Sequence, residues 1–259
     1  RDLPFDTVVT GPIAPDTDWR HALDSMDTVI HLAARVHVTR EESRDPAASF
    51  RRVNGDGTAR LARQAEEAGV RRFIYVSSVK AARETTSGRA LTEADPPHPA
   101  TPYGISKREG EQAVSASARR MEWVAFRPPL VYGPEVGANF HALLRLVDSG
   151  LPLPFASVDN TRSLIARGNL VDALVTAISR SGVARQTFYV TDGVPLSTPA
   201  LVRALALALG RRDRLFAFPR VMLAALARLA GRAEAADSLL CSLVVDDAAF
   251  RAAAGWSPH

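Results

Sequence analysis

The chain has 259 residues, of which 46% are hydrophobic and 23% are charged. These values are typical of a globular protein and argue against a disordered or fibrous chain. No uncharged apolar run reaches the roughly 18–20 residues that a membrane span needs, because Arg228 interrupts the most apolar stretch, 221–230. The first residues lack an apolar export signal, and the single cysteine, Cys241, cannot form an internal disulfide. We therefore expect a soluble, cytoplasmic protein with no membrane partner.

The positive charge of the chain is almost entirely arginine, since Lys80 and Lys107 are the only lysines and the net charge is +4. The arginines are scattered and seldom exceed pairs, which is typical of a solvated surface rather than of a nucleic-acid-binding stripe. No Cys/His cluster has the spacing of metal ligands. We expect neither a nucleic-acid partner nor a bound metal, and the two lysines are candidates for positions that need an amine.

Short apolar runs alternate with longer amphipathic segments in the first half of the chain. The runs predict strands at 6–10, 27–33, 72–78 and 123–126, and the amphipathic segments predict helices at 18–25, 45–68 and 103–120. Strand–helix–strand order repeated in this way predicts an α/β fold with a doubly wound parallel sheet.

The second half of the chain is mostly helical. We predict helices at 140–147, 170–178, 199–209, 221–231 and 246–254, and short strands at 163–166 and 187–190. The leucine and small-residue stripes of the last three helices are interpreted as packing surfaces. This pattern divides the chain into a sheet domain at 1–137 and a smaller, mostly helical domain at 138–259, with 163–194 returning to the sheet.

A candidate catalytic group lies where one strand ends and the next helix begins. Ser77 and Ser78 close a predicted strand, and Tyr103 and Lys107 lie four residues apart on a predicted helix, which puts phenol and ammonium on one face. The carboxyl ends of parallel strands form the ligand crevice. A phenol with a pKa of about 10 becomes a better base beside a cation, and a nearby hydroxyl can bind the same reacting oxygen. A Tyr-x-x-x-Lys spacing alone is common, so the order and context of the motifs carry the prediction.

Several motifs in family order extend this pattern along nearly the whole chain. They are HLAA at 31–34, VNGDGT at 53–58, FIYVSS at 73–78, PYGISK at 102–107, RPPLVYGP at 127–134, RSLI at 162–165, NLVDA at 169–173 and GWSP at 255–258. With these motifs the chain resembles the extended short-chain dehydrogenase/reductases, specifically the NAD-dependent epimerase/dehydratase family that acts on nucleotide sugars. The resemblance implies a Rossmann-like dinucleotide-binding domain at 1–137 and a substrate-binding domain at 138–259.

The resemblance implies a role for each member of the catalytic group. Tyr103 would be the general acid/base, and Lys107 would bind the nicotinamide ribose and lower the pKa of Tyr103. Ser78 would lie beside the reacting oxygen, and Ser77 would take that place if the register slipped by one residue. Tyr103, Lys107 and Ser77 would also contact the cofactor.

The resemblance further implies that NAD, with NADP as an alternative, binds along Leu32, Ala33 and Ala34 and passes near Pro129. The sugar nucleotide would contact Ser78, Asn139 and Arg162, with Arg162 on the pyrophosphate, since a guanidinium can bind phosphate oxygens bidentately. A surface role for Arg162 remains open.

Two other residues near these motifs receive a structural interpretation. Asn54 is interpreted as structural. Lys80 is interpreted as a solvated loop lysine that could also reach the site.

Some features depart from the family pattern. The glycine-rich turn that seats the pyrophosphate on a helix N-terminus is missing, as is the residue that selects NAD or NADP, so the first strand–helix–strand unit is expected to be absent from this chain. The sequence AAR at 81–83 and Leu130 also differ from the usual family residues around the sugar.

The resemblance therefore predicts an NAD(P)-dependent nucleotide-sugar 4-epimerase of polysaccharide biosynthesis. Its substrate would be UDP-linked, and two copies would pair as a homodimer through the helices that follow Asp45 and Tyr103. A 4-keto-sugar reductase of the same family and a non-catalytic dinucleotide-fold binding protein are the alternatives. A dehydratase is disfavoured because Val79 and Lys80 occupy the place of that group's Asp-Glu pair.

Overall fold

A computed structural model describes residues 6–36, 45–135, 138–231 and 233–259, without the side chains of 138, 139 and 233–235. Strands β1 to β6 comprise Thr28–His31, Arg72–Val76, Glu122–Arg127, Leu130–Tyr132, Leu164–Ala166 and Gln186–Tyr189. Helices α1 to α10 comprise Arg20–Leu23, Pro46–Phe50, Thr58–Glu67, Pro102–Ser117, Ala138–Asp148, Arg167–Ser179, Thr198–Ala208, Arg220–Leu229, Ala233–Leu240 and Ala248–Ala254. A π-helical segment, Arg51–Gly57, joins α2 to α3.

The main sheet has four parallel strands in the order β1-β2-β3-β6. Strand β2 is buried on both faces, because Phe73 and Tyr75 pack with α3 and α4 on one side while Ile74 packs under α6 and α10 on the other. Such a strand is apolar throughout, as parallel sheets require. The predicted parallel sheet with flanking helices is confirmed.

Three of the helices begin at a capping residue that is followed by a proline. The side chains of Asp45, Thr101 and Ser197 each accept a hydrogen bond from a backbone N–H of the following first turn, and a proline occupies the first or second helical position. Side-chain caps satisfy otherwise unpaired N–H groups, and proline fits there because its missing N–H is not needed. The helix that carries Tyr103 therefore begins at a defined residue.

The helical part of the molecule has an aliphatic core of its own. Leu143 and Val147 of α5 pack with Val202 of α7, Leu240 of α9 and Phe155. Helix α8 differs from its neighbours because it has no buried residue. The apolar residues of this helix were predicted to form a packing surface. On one face of the helix they are half-buried, and on the other face they are exposed.

Some predicted elements differ from those observed. Residues 6–10 form no strand, and Val9 is exposed, so four consecutive β-branched residues were insufficient to form one without a neighbouring strand. Of the stretch 163–194, only β6 joins the main sheet, whereas β5 pairs with β4 in a separate two-stranded sheet.

Candidate active site

The predicted catalytic residues meet where β2 ends and α4 begins. Ser78 follows β2 and caps a short 3₁₀ turn, its Oγ accepting a hydrogen bond from the backbone N–H of Lys80 at 3.2 Å. Tyr103 lies in the first turn of α4. The backbone of α4 passes so close to this turn that a Cβ on Gly104 would overlap the carbonyl oxygen of Lys80. A glycine at this position allows the two segments to touch.

The side chains of Tyr103 and Ser78 line the same cavity, near enough for the serine hydroxyl to affect the pKa of the phenol. The edge of the Tyr103 ring also contacts Phe50 at a centroid distance of 6.0 Å, which holds the ring from the other side. Burial raises the pKa of Tyr103 above its usual value, and the nearby Ser78 hydroxyl opposes that rise. The structure thus brings together the phenol and the hydroxyl that the sequence predicted.

Lys107 lies beneath this pair and is almost entirely buried, with 1% of its surface exposed. Its Nζ donates to the carbonyl oxygen of Val76 at 2.7 Å and lies 4.2 Å from the centroid of the Tyr75 ring. Burial lowers the pKa of Lys107 to about 7, with the charge of Glu111 opposing that change. The pKa of Tyr103 was expected to be lowered by Lys107. In this structure it lies above its usual value, because burial has the dominant effect on it.

Ser77 points away from this pair. Its Oγ donates to Oε1 of Glu111 at 2.6 Å, and the same carboxylate forms a bidentate ion pair with Arg127, at 2.7 and 2.8 Å. Arg108 adds a third contact at 2.8 Å. The side chain of Ser77 therefore belongs to a buried polar network, which places Ser78, and not Ser77, beside Tyr103.

The sequence interpretation missed Glu111. The spacing contains a signal for it, since Tyr103, Lys107 and Glu111 lie four residues apart and share one face of α4. The buried Arg127 at the end of β3 supplies the charge that a buried carboxylate needs. The negative charge of Glu111 in turn favours the protonated form of Lys107.

A cavity of about 660 Å³ opens beside Tyr103 and Ser78. Its polar wall also includes Lys80, Arg162 and the backbone near Pro129. The opposite wall is apolar and comes from the helical part of the molecule, with Leu143, Phe155, Leu201, Leu223 and Leu240 among its residues. The cavity therefore lies between the carboxyl end of the sheet and the helices of the second half.

The two cations on the cavity wall differ in their partners. Lys80 Nζ lies 3.4 Å from Glu84 Oε2. Nη1 of Arg162 donates to the carbonyl oxygen of Cys241 at 2.8 Å, and among the described residues no carboxylate lies within ion-pair distance of this guanidinium. Burial lowers the pKa of Arg162, which remains a cation at neutral pH. A half-buried cation without a carboxylate partner is suited to an anionic ligand.

The predicted cofactor-binding residues Leu32, Ala33 and Ala34 follow β1 at the same edge of the sheet as Ser78. Leu32 is 62% exposed, which leaves an apolar side chain available to a ligand. Asn54 holds the loop that follows, because its Oδ1 accepts from the N–H of Arg35 and its Nδ2 donates to the carbonyl of the same residue, at 2.8 and 2.9 Å. This arrangement agrees with the structural interpretation of Asn54.

The remaining substrate-binding candidate, Asn139, lies in α5, and its side chain is outside the described part of the chain. Within the described ranges, no helix is long and apolar enough to cross the membrane. No cluster of three or more His, Cys, Asp or Glu side chains suited to a metal ion occurs in those ranges.

These features define a class. A parallel sheet that presents a Ser–Tyr pair and a buried lysine at its carboxyl edge is the arrangement of a dinucleotide-dependent oxidoreductase or epimerase of the short-chain type. The chain belongs to the NAD-dependent epimerase/dehydratase family, whose model matches residues 2–190. The family expected from the motifs is thus confirmed, as are enzymatic function and dependence on NAD.

Comparison with individual proteins gives the same picture. UDP-glucose 4-epimerase of Vibrio cholerae is 40% identical over 252 residues, which cover 96% of this chain and 77% of the Vibrio protein. The structure of MoeE5 in complex with UDP-glucuronic acid and NAD superposes with a TM-score of 0.76 at 22% identity, covering 100% of this chain and 83% of MoeE5. UDP-glucuronic acid 4-epimerase from Bacillus cereus in complex with NAD gives 0.73 at 18% identity, covering 94% and 72%. These two structural likenesses support the fold.

Proposed function

We propose that this enzyme is a nucleotide-sugar 4-epimerase with Tyr103 as its general acid/base and a UDP-linked hexose as its substrate. The observation that carries the proposal is that Tyr103 and Ser78 lie together on the wall of a cavity large enough for a small-molecule ligand. The identity of 40% with a UDP-glucose 4-epimerase favours epimerisation over the other reactions of the family.

The protein residues have distinct tasks in this proposal. The Tyr103 phenol takes the proton of the sugar C4 hydroxyl and later returns it, while Ser78 holds the same oxygen by a hydrogen bond. Arg162 binds a diphosphate oxygen, because it is a half-buried cation on the same cavity wall with no carboxylate partner among the described residues.

The residues present suit the nicotinamide half of NAD. The Lys107 ammonium has three N–H donors, and Val76 accepts from one of them, so donors remain for a ribose hydroxyl. The exposed Leu32 side chain supplies an apolar contact along the same edge of the sheet. When bound, NAD supplies the acceptor and donor of the hydride at C4. Neither NADP nor the pairing of two copies through α2 and α4 is tested by these contacts, and both stay predictions.

The central test replaces Tyr103 with Phe. We expect kcat for the interconversion of UDP-glucose and its 4-epimer, measured by NMR, to fall about 10²–10⁴-fold, which is the range for loss of a general acid/base. Tyr189→Phe is the control, because the Tyr189 hydroxyl contacts Arg127 at 3.4 Å in the interior and lies outside the catalytic pair. An unchanged rate in Tyr103→Phe would contradict the assigned role.

Cofactor stoichiometry separates the epimerase from its alternatives. An epimerase returns every hydride to the sugar, so product accumulates with no net consumption of NADH. Consumption of one reduced cofactor per sugar would instead identify a 4-keto-sugar reductase. Binding of UDP-sugar and NAD by calorimetry, without any turnover, would identify a non-catalytic binding protein.

A further inference from the structure

The Lys107 ammonium has an aromatic neighbour as well as a backbone acceptor. Its Nζ lies 4.2 Å from the centroid of the Tyr75 ring and donates to the carbonyl oxygen of Val76 at 2.7 Å. Tyr75 and Val76 are the last two residues of β2, directly before Ser77 and Ser78. The face of an aromatic ring is negative and attracts a cation within about 6 Å of its centroid. The end of β2 therefore supplies two separate attractions for the ammonium.

The Tyr75 ring is itself held in place by its surroundings. It is fully buried and stacks on His31, the residue opposite it in β1, at a centroid distance of 5.6 Å and an interplanar angle of 29°. The His31 ring is fixed in turn, since its Nε2 lies 3.0 Å from Thr58 Oγ1. On the other side, a Cβ on Gly110 would overlap the Tyr75 hydroxyl, so α4 touches the far end of the ring. The ring thus has a defined position between β1 and α4.

The hydroxyl of Tyr75 takes no visible part in this arrangement. It is buried, and no residue in the described part of the chain forms a hydrogen bond with it. Burial raises the pKa of Tyr75 well above its usual value, so the phenol is neutral and supplies no negative charge. The part of Tyr75 that attracts Lys107 is therefore the face of the ring.

Other titratable side chains around Lys107 act on its charge. Glu111, one turn further along α4, favours the ammonium, but burial opposes it more strongly and lowers the pKa of Lys107 to about 7. His31 is neutral, because burial and the nearby Lys107 lower its pKa to about 3. Tyr103, one turn earlier on α4, is also neutral, because burial raises its pKa. With its charge so finely balanced, Lys107 depends on each attraction that favours the ammonium.

We propose that Tyr75 is a positioning residue, whose ring face and not its hydroxyl holds the Lys107 ammonium at the carboxyl end of β2. The ring attracts the charge without accepting a hydrogen bond along a fixed direction, so N–H donors of Lys107 stay available for a ribose hydroxyl. The use of these donors by NAD rests on the proposed function, whereas the contact of Lys107 with Tyr75 does not.

The composition of the chain makes a direct test possible, because Lys80 and Lys107 are its only lysines. Enzyme isotopically labelled at lysine Cε should give one NMR signal for each lysine, and Lys80→Arg identifies the signal of Lys107. We expect Tyr75→Phe to leave the pKa of Lys107 unchanged, because the ring remains. Tyr75→Leu should lower this pKa by about 0.5–1.5, because the charged form loses the attraction of the ring.

Phe73→Leu is the matched control. Phe73 lies two residues earlier on the same face of β2, is equally buried and also contacts the His31 ring, at 6.2 Å. Among the described residues, no cation lies over the Phe73 ring. Phe73→Leu should therefore cost similar packing and leave the pKa of Lys107 unchanged. An equal fall in both variants would indicate a general loss of packing and would overturn the proposal. So would an unchanged or raised pKa in Tyr75→Leu, since the ring would then do no more than exclude water.

A second series keeps the test decisive if Tyr75→Leu does not fold. Phenylalanine analogues with increasing numbers of ring fluorines, incorporated at position 75, keep the aromatic ring while making its face less negative. The pKa of Lys107 should fall with each added fluorine. A constant pKa along the series would contradict the attraction by the ring face.

NAD affinity, measured by calorimetry, separates this inference from the proposed function. Tyr75→Leu should weaken NAD binding about tenfold at about pH 8 and much less at about pH 5, since a pKa lowered by about one unit removes the ammonium only at the higher pH. Phe73→Leu should show no such dependence on pH. A lowered pKa of Lys107 with unchanged NAD affinity would support the contact with Tyr75 and overturn the cofactor-binding role of Lys107.

Discussion

The two regions on either side of the active-site cavity contain different kinds of side chain. Behind the wall at the end of the sheet, charged side chains are buried and paired, as in the contact of Glu111 with Arg127 at 2.7 Å. On the helical side, the wall is apolar, and one of its helices, α8, has no buried residue. The difference separates two tasks, since fixed charge orients the reacting groups whereas apolar surface gives the cavity its shape.

The largest expected effect comes from breaking the buried charge network. Glu111→Leu should lower the free energy of unfolding by about 3–5 kcal/mol, because Arg127 would be left buried without its partner. Adding Arg127→Met to this variant should recover much of the loss, since no isolated charge then remains. Urea denaturation of the single and double variants measures both effects.

An exposed ion pair provides the control. Asp27 and Arg71 form the same bidentate arrangement, at 2.9 and 3.0 Å, with both side chains largely in solvent. Asp27→Asn should change stability far less than Glu111→Leu. An equal loss of unfolding free energy in the two variants would show that burial does not determine how much the Glu111–Arg127 ion pair contributes to stability.

The next effect concerns the contact between α4 and the turn after Ser78. Gly104→Ala should lower kcat about tenfold to hundredfold, because the new Cβ displaces Tyr103 relative to Ser78. Gly168→Ala on α6 is its control, since a Cβ at Gly168 has no neighbour within 4 Å. Steady-state kinetics of both variants make the test, and similar rates would show that the close contact does not position Tyr103.

The pH dependence of stability reports on Lys107. Burial holds the pKa of the folded lysine at about 7, below its usual 10.5. Between these values the unfolded chain binds more protons, so the stability of the enzyme relative to Lys107→Met should rise with pH. The slope is at most about 1.4 kcal/mol per pH unit, and it should vanish below pH 7, where both states are protonated. Urea titrations at several pH values measure it, and a flat difference would contradict a depressed pKa.

The smallest effect is expected on the outer side of the helical region. Leu229→Ala should change the free energy of unfolding by less than about 0.5 kcal/mol, because an exposed side chain loses little packing. Leu240→Ala, at a buried position of the helical core, should cost about 2–5 kcal/mol. Thermal denaturation of the pair checks this, and a large loss at Leu229 would mean that its side chain supports the fold.

The sequence predicted the sheet well because its strands are continuous apolar runs. The run FIYV at 73–76 has an apolar or aromatic residue at every position, which predicts a strand buried on both faces. The structure places it in β2, one of the two inner strands of the sheet. The run DTVVT at 6–10 is rich in β-branched residues, which favour strands, but no strand forms there, and β-propensity alone could not show that no strand would pair with it. Helix α9 was not predicted, although its sequence does have an apolar period.

The site was predicted in part. Motif order identified Ser78, Tyr103 and Lys107, and the structure places Ser78 and Tyr103 on the wall of the same cavity. Motif order could not indicate that Ser77 turns inward to Glu111, because that contact depends on how α4 packs against the end of β2. Nor could it show that α8 leaves half of its apolar surface uncovered.

Asn54 links the cofactor side of the molecule to the catalytic helix. Besides holding Arg35, its Nδ2 donates to Ser106 Oγ at 3.0 Å, and that hydroxyl donates to the Tyr103 carbonyl at 2.8 Å. Asn54 belongs to the π-helical segment, in which each backbone hydrogen bond spans one residue more than in an α-helix. This chain of hydrogen bonds ties the loop after β1 to the backbone of Tyr103. If the nicotinamide binds between them, as proposed, we expect little conformational entropy to be lost on binding, because the two segments are already held together in the folded chain.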